Sequence, residues 1–98
     1  MSVVTVAELR LGVLNASSDT ARAERLRTLL EAESLSPLPI DRLVAEAWAR
    51  LRRALLHEAR RMPVNDSWIA ATAIAHQLPI VTQDADYDDV PGLQVIRV

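Results

Sequence analysis

The sequence predicts a three-layer α/β fold, with a parallel sheet flanked by helices, and three observations lead there. Segments with apolar residues at helical spacing alternate with short apolar runs of strand length. Cap residues and prolines punctuate the boundaries. Strands separated by helices are joined by crossovers, which place neighbouring strands parallel.

The elements follow in order. Val3 and Val4 read as the tail of a strand, and Thr5 as the cap of a helix running to about Asn15. A second helix is predicted from about Ser18 to Glu33, with Leu26, Leu29 and Leu30 inward. Leu35 to Ile40 contains Pro37 and Pro39, so it can be a strand only at a sheet edge or a strand start. Asp41 caps a long helix in which Leu43, Val44, Ala47, Trp48, Leu51, Ala54 and Leu55 recur at helical spacing. Pro63 punctuates the break after it. Asn65 is expected to cap an alanine-rich helix to about Gln77, followed by a buried strand from Leu78 to Thr82 and another from Gln94 to Val98. Residues 1–98 read as one domain, without repeats, linker or low-complexity tract.

Composition narrows the function classes. Half the residues are hydrophobic, yet Phe is absent and the aromatics are Trp48, Trp68 and Tyr87, so the core must be Leu, Val, Ile and Ala. No cysteine occurs, which removes disulfides and thiolate metal sites and fits a reducing cytoplasm. No apolar run is long enough to span a membrane, and no signal sequence is visible, so a cytoplasmic, membrane-independent protein is expected. The net charge is −2, unevenly laid out: Arg50, Arg52, Arg53, Arg60 and Arg61 lie close together, and Asp84, Asp86, Asp88 and Asp89 crowd a later stretch. An arginine cluster is most simply a solvated helix face; its sharper reading is a phosphate-contacting patch centred on Arg52 and Arg53.

Each acid has a structural alternative. In a parallel α/β sheet ligands gather beyond strand carboxyl ends and near helix N-termini, so Asp66 and Asp84 can face one crevice, with Asp86 a weaker third. Asp66 in a helix first turn also gains from the macrodipole. Thr5-x-x-Glu8 has capping-box spacing, which by itself favours a cap over a ligand. Asp41 reads as a plain N-cap, and Asp88 and Asp89 as solvated turn residues. The Asp84-x-Asp86-x-Asp88 run lacks the glycine and glutamate of a calcium loop. His57 and His76 have no partner at ligand spacing, which makes zinc a poor fit. No nucleophile elbow or glycine-rich phosphate loop is present.

Three segments together, Thr5-Val6-Ala7-Glu8-Leu9-Arg10-Leu11-Gly12-Val13, Asn65-Asp66-Ser67-Trp68-Ile69-Ala70-Ala71 and Thr82-Gln83-Asp84-Ala85-Asp86-Tyr87, resemble PIN-domain proteins, and among these the VapC toxins of bacterial toxin–antitoxin pairs. The resemblance runs nearly the whole length of the chain. It implies a PIN-like parallel sheet wrapped by helices and metal-dependent endoribonuclease cleavage of RNA. It further implies a cognate antitoxin that blocks the site. It reverses the odds on Glu8, which falls on the second acid of the family pattern. Glu8, Asp66 and Asp84 are then the expected catalytic acids, holding Mg²⁺ or Mn²⁺ together with Asp86, while Asn65 and Thr82 orient the carboxylates. Arg52 and Arg53 are the expected RNA contacts.

The resemblance starts at the family's second strand. The family's opening central strand, which ends in an aspartate of the metal site, has no counterpart here, so the expected sheet lacks its central first strand. Unpaired sheet edges would favour a homodimer. The competing expectation is a catalytically inactive PIN remnant that serves only to bind an antitoxin or to dimerise. A weaker third is an unrelated α/β interaction domain whose acids are all caps and turns.

Overall fold

A computed structural model describes residues 1–98. The chain forms two compact units, residues 1–39 and 40–98. Together they hold four α-helices and a small parallel sheet, the α/β architecture expected.

The first unit is a helix pair, α1 (Val3–Leu14) against α2 (Asp19–Glu33). The helix starts at Val3, so the strand tail predicted at Val3 and Val4 is corrected, and Thr5 is not its cap. Ser2 is: its backbone is extended and its hydroxyl accepts from the Val4 N–H at 3.1 Å. A serine cap is worth about 1 kcal/mol, which outweighs the few tenths of a kcal/mol by which valine disfavours helix. Extended structure survives as one parallel bridge between Ser2 and Leu38, all that forms of the strand considered over Leu35 to Ile40. The Val3 N–H donates to the Leu38 carbonyl at 2.9 Å.

Ser18 caps α2, with its hydroxyl on the Ala21 N–H, so that boundary stands as predicted. Of the three leucines expected inward, only Leu29 is buried; Leu26 and Leu30 are exposed. Two arginines of α2 tie the pair together: the Arg25 guanidinium donates to the Gly12 carbonyl of α1 at 2.7 Å, and Arg22 donates to that of Ala16 in the connecting loop at 3.1 Å.

The second unit carries the remaining elements. Asp41 caps α3 (Arg42–His57), accepting from the Val44 N–H at 3.0 Å. Val44, Leu51 and Leu55 are its buried row, while Leu43 faces outward. The helix ends through Ala59, whose φ of +52° is left-handed, and the chain turns by an Arg60 N–H to Leu55 carbonyl bond. Helix α4 (Val64–Ala75) starts one residue before the predicted cap Asn65. Pro63, with its fixed φ, leads into it, and the Pro63 carbonyl accepts the first helical bond from Ser67. The helix stops at His76 rather than at Gln77 because Gln77 takes φ +54° and the Leu78 N–H bonds back to Ala73.

Strands β1 (Ile80–Thr82) and β2 (Val95–Arg97) pair in parallel, Ile80 opposite Val95 and Thr82 opposite Arg97. Both are shorter than predicted, and Val81 is exposed, so β1 is not the fully buried strand expected. Between them a 3-10 turn spans Ala85–Tyr87. The core gathers Leu51, Leu55, Met62, Ala70, Tyr87 and Val90, so it reaches from α3 and α4 to that turn. Alanines 70, 71 and 73 are buried, and their small side chains let α4 lie close to its neighbours. Trp48 of α3 stacks on Trp68 of α4 with ring centres 4.4 Å apart and donates its indole N–H to Ser67 Oγ at 2.9 Å.

Candidate metal centre

Three carboxylates converge in the second unit. Asp66 is the third residue of α4, Asp84 follows β1 by two residues, and Asp86 lies within the 3-10 turn. One oxygen from each lies within 4.8 Å of the others. Asp66 and Asp84, expected from sequence to face one another beyond a strand end and at a helix N-terminus, do lie together, and Asp86 joins them.

Local bonding holds this geometry. The Thr82 hydroxyl accepts from the Asp84 N–H at 3.0 Å, bending the chain as it leaves β1. Asp84 caps the 3-10 turn, its Oδ1 accepting from the Asp86 N–H at 2.9 Å, so it serves as turn residue and cluster member together. Tyr87 is buried in the core and donates its hydroxyl to Asp66 Oδ1 at 3.2 Å, tying turn to helix. From outside, the Arg60 guanidinium donates to the carbonyl oxygens of Asp86 and Asp88 at 3.2 and 2.5 Å. Arg97 donates from Nη1 to both oxygens of Asp88, at 2.7 and 2.6 Å. Asp88 is thus an ion-pair partner, correcting its reading as a merely solvated turn residue.

Electrostatics favour a cation here. Partial burial pushes the Asp66 carboxyl above its usual range, and the charges of Asp84 and Asp86 push the same way, against the Tyr87 hydrogen bond, which favours the ionised form. Oxygen ligands of this charge and spacing suit a hard divalent ion, which would offset both the repulsion and the desolvation. The donor set fits a hard divalent ion, which Asp66, Asp84 and Asp86 would hold together.

Replacing Tyr87 with phenylalanine should therefore raise the Asp66 midpoint further in a carboxyl NMR titration, since it removes a hydrogen bond that favours the carboxylate. Divalent-ion affinity should fall severalfold at pH 6 and recover as pH rises, because proton and metal compete for one group. A midpoint that moves down in the Tyr87→Phe protein would contradict this arrangement.

The other residues singled out from sequence are placed as follows. Glu8 is exposed on α1 in the first unit. Asn65 is exposed in the first turn of α4, and its side chain makes no hydrogen bond. Arg52 sits with its guanidinium carbon 5.8 Å from the Trp48 ring centre, and Arg53 is exposed. Tyr87, Arg60 and Arg97 were not anticipated. Tyr87 could have been suspected from its place beside Asp86, but the two arginines reach the turn only through the fold. No helix is long and apolar enough to cross a membrane.

Comparison with known proteins places the fold among known relatives. Residues 1–93 match the PIN domain family. The chain is 53% identical to ribonuclease VapC4 of Mycobacterium tuberculosis over 98 residues, covering all of this chain and 75% of the relative. It is 46% identical to ribonuclease VapC5 of the same organism, over 99% of this chain and 74% of that one. Among solved structures, VapBC-5 of M. tuberculosis, a member of the VapBC family of toxin–antitoxin systems, superposes with a TM-score of 0.92 at 46% identity, covering 99% of this chain and 79% of that one.

Proposed function

Because the chain belongs to the PIN-domain family, we propose that it is a ribonuclease toxin of the VapC type, an endonuclease that cleaves single-stranded RNA with Mg²⁺ or Mn²⁺ and is neutralised by a cognate antitoxin. The observation that carries this reading is the Asp66, Asp84 and Asp86 cluster at the end of β1. The names of the relatives, ribonucleases and a toxin–antitoxin member, support the substrate and partner classes.

In this reading Asp66 and Asp84 are the principal ligands, and Asp86 a further one. The Mg²⁺ or Mn²⁺ that these carboxylates would hold would supply positive charge for the scissile phosphate and a more acidic water as nucleophile. Thr82 and Tyr87 keep the carboxylates aimed inward, and Asn65 flanks Asp66 on the helix. Glu8 enters on its sequence motif, as a catalytic acid. No histidine or lysine stands among the clustered groups to act as general base. Arg52 and Arg53 hold the RNA backbone, for which a guanidinium fork is suited.

The test is cleavage of labelled single-stranded RNA. Activity should require Mg²⁺ or Mn²⁺, vanish with EDTA and return on adding metal. It should be lost in Glu8→Ala and Asp84→Ala and reduced less in Asp86→Ala. Cleavage indifferent to EDTA would remove the metal mechanism.

A further inference from the structure

The geometry points to a built site for an RNA phosphodiester in the cavity beside the α3–α4 loop, next to the acidic turn, with Arg52 and Arg61 as its phosphate ligands. This rests on the ribonuclease reading and locates where the strand leaves the cleavage centre. The cavity has a volume of about 310 Å³ and is lined by Arg52, Arg60 and Arg61 together with Leu55, Met62 and Val64. That size lies at the small end of ligand pockets, enough for one nucleotide unit. No acid lines it, so three guanidiniums share a hollow with nothing inside to neutralise them.

The three arginines are not equivalent. Arg60 is committed: it holds the carbonyls of Asp86 and Asp88, and so fixes one wall of the cavity to the turn that carries the cluster. Arg52 makes no ion pair, and its guanidinium lies over the face of Trp48. That contact restrains the side chain while leaving its N–H groups free to donate. Arg61 is exposed and has neither a hydrogen bond nor an ion pair. Elsewhere in the chain Arg10, Arg22, Arg50 and Arg97 are each spent on a carboxylate. Two unspent guanidiniums beside a third that touches the acidic turn fit a chain of phosphates running past that turn. The apolar lining from Leu55, Met62 and Val64 offers a surface for a nucleobase. A carboxylate peptide would use the charge but not the base-sized apolar wall, so RNA is the favoured occupant.

The experiment measures binding of a fluorescein-labelled 12-nucleotide RNA in EDTA, where cleavage is absent, as salt is varied. Wild type is compared with Arg52→Gln, Arg61→Gln and Arg42→Gln, the last being an exposed, unpaired arginine at the far end of α3. Arg52→Gln and Arg61→Gln should each weaken binding about five- to tenfold and lower the salt slope by roughly 0.7, the value for one phosphate contact on a single strand. Arg42→Gln should change neither, and all variants should keep the wild-type Mn²⁺ affinity. Equal losses in all three variants, or competition by poly-glutamate as effective as that by RNA of equal charge, would mean a diffuse anion surface and overturn the site. Unchanged binding in Arg52→Gln and Arg61→Gln, with cleavage intact, would overturn the site and leave the ribonuclease reading standing. A wild-type protein that neither binds nor cleaves RNA would overturn both.

Discussion

The Asp66→Asn protein should lose RNA cleavage by at least ~100-fold, as expected when a metal ligand worth several kcal/mol of charge stabilisation is removed and each 1.36 kcal/mol is tenfold in rate. It should nevertheless fold. Asp66 binds its proton more tightly in the folded protein than in the unfolded chain, because burial and the neighbouring Asp84 and Asp86 disfavour its charge. For an acid raised in this way, the favourable contribution is complete below the unfolded value. It declines as pH climbs from the unfolded value through the raised one, so metal-free protein at neutral pH carries an unfavourable charge there. Asparagine removes that charge while keeping an oxygen for the Tyr87 hydroxyl. Metal-free Asp66→Asn should accordingly melt at or above the wild-type temperature at pH 7, with the difference vanishing below about pH 4, near the ordinary aspartate value. A variant that loses activity but gains stability marks a residue kept for function. If Asp66→Asn instead melts well below wild type at neutral pH, Asp66 is a structural residue first.

The second large effect is on stability. Leu55 is 1% exposed and packs in the cluster with Leu51, Met62, Ala70, Tyr87 and Val90. Truncating a leucine so enclosed costs about 2–5 kcal/mol through lost burial and the cavity left behind. For a chain near 100 residues each kcal/mol moves Tm by about 4–8 °C, so Leu55→Ala should lower it by about 8 °C or more. The neighbouring Leu56, 72% exposed on the same helix, should cost little when truncated. Because Tyr87 shares the cluster with Leu55, Leu55→Ala should also loosen the turn that carries Asp84 and Asp86, and weaken metal binding without touching a ligand. A calorimetric Tm within 4 °C of wild type would show that this core does not brace the turn.

The parts of the fold legible in the sequence are those settled locally. Ser18 and Asp41 are capping residues just before helical periodicity, and α2 and α3 begin where those residues put them. The start of α1 was not legible, because Thr5-x-x-Glu8 imitates a capping box while the operative cap is Ser2, anchored by a bridge to Leu38 far along the chain. Pro63 displaced Asn65 as the residue leading α4 for a similar reason: a fixed φ and a carbonyl suffice to start a helix. Leu26 and Leu30 were assigned inward from periodicity and Leu78 to Thr82 was read as buried from its apolar run, signals that do not say whether anything covers Leu26, Leu30 or Val81. In the candidate site, the approach of Asp66 to Asp84 was legible because each sits at an element end where ligands collect. Tyr87, Arg60 and Arg97 were not: their contacts to Asp66, Asp86 and Asp88 span 9 to 28 residues of sequence and are made only by the folded chain.

The central claim is that Asp66, Asp84 and Asp86 form a cation site, and Mn²⁺ binding followed by electron paramagnetic resonance tests it most directly. Wild-type protein at neutral pH should bind Mn²⁺ saturably, with Mg²⁺ competing, and Asp66→Asn and Asp84→Asn should each weaken that binding at least tenfold, while Asp41→Asn, at the N-cap of α3, should leave it unchanged. Equal Mn²⁺ affinity in wild type, Asp66→Asn and Asp84→Asn would contradict the account.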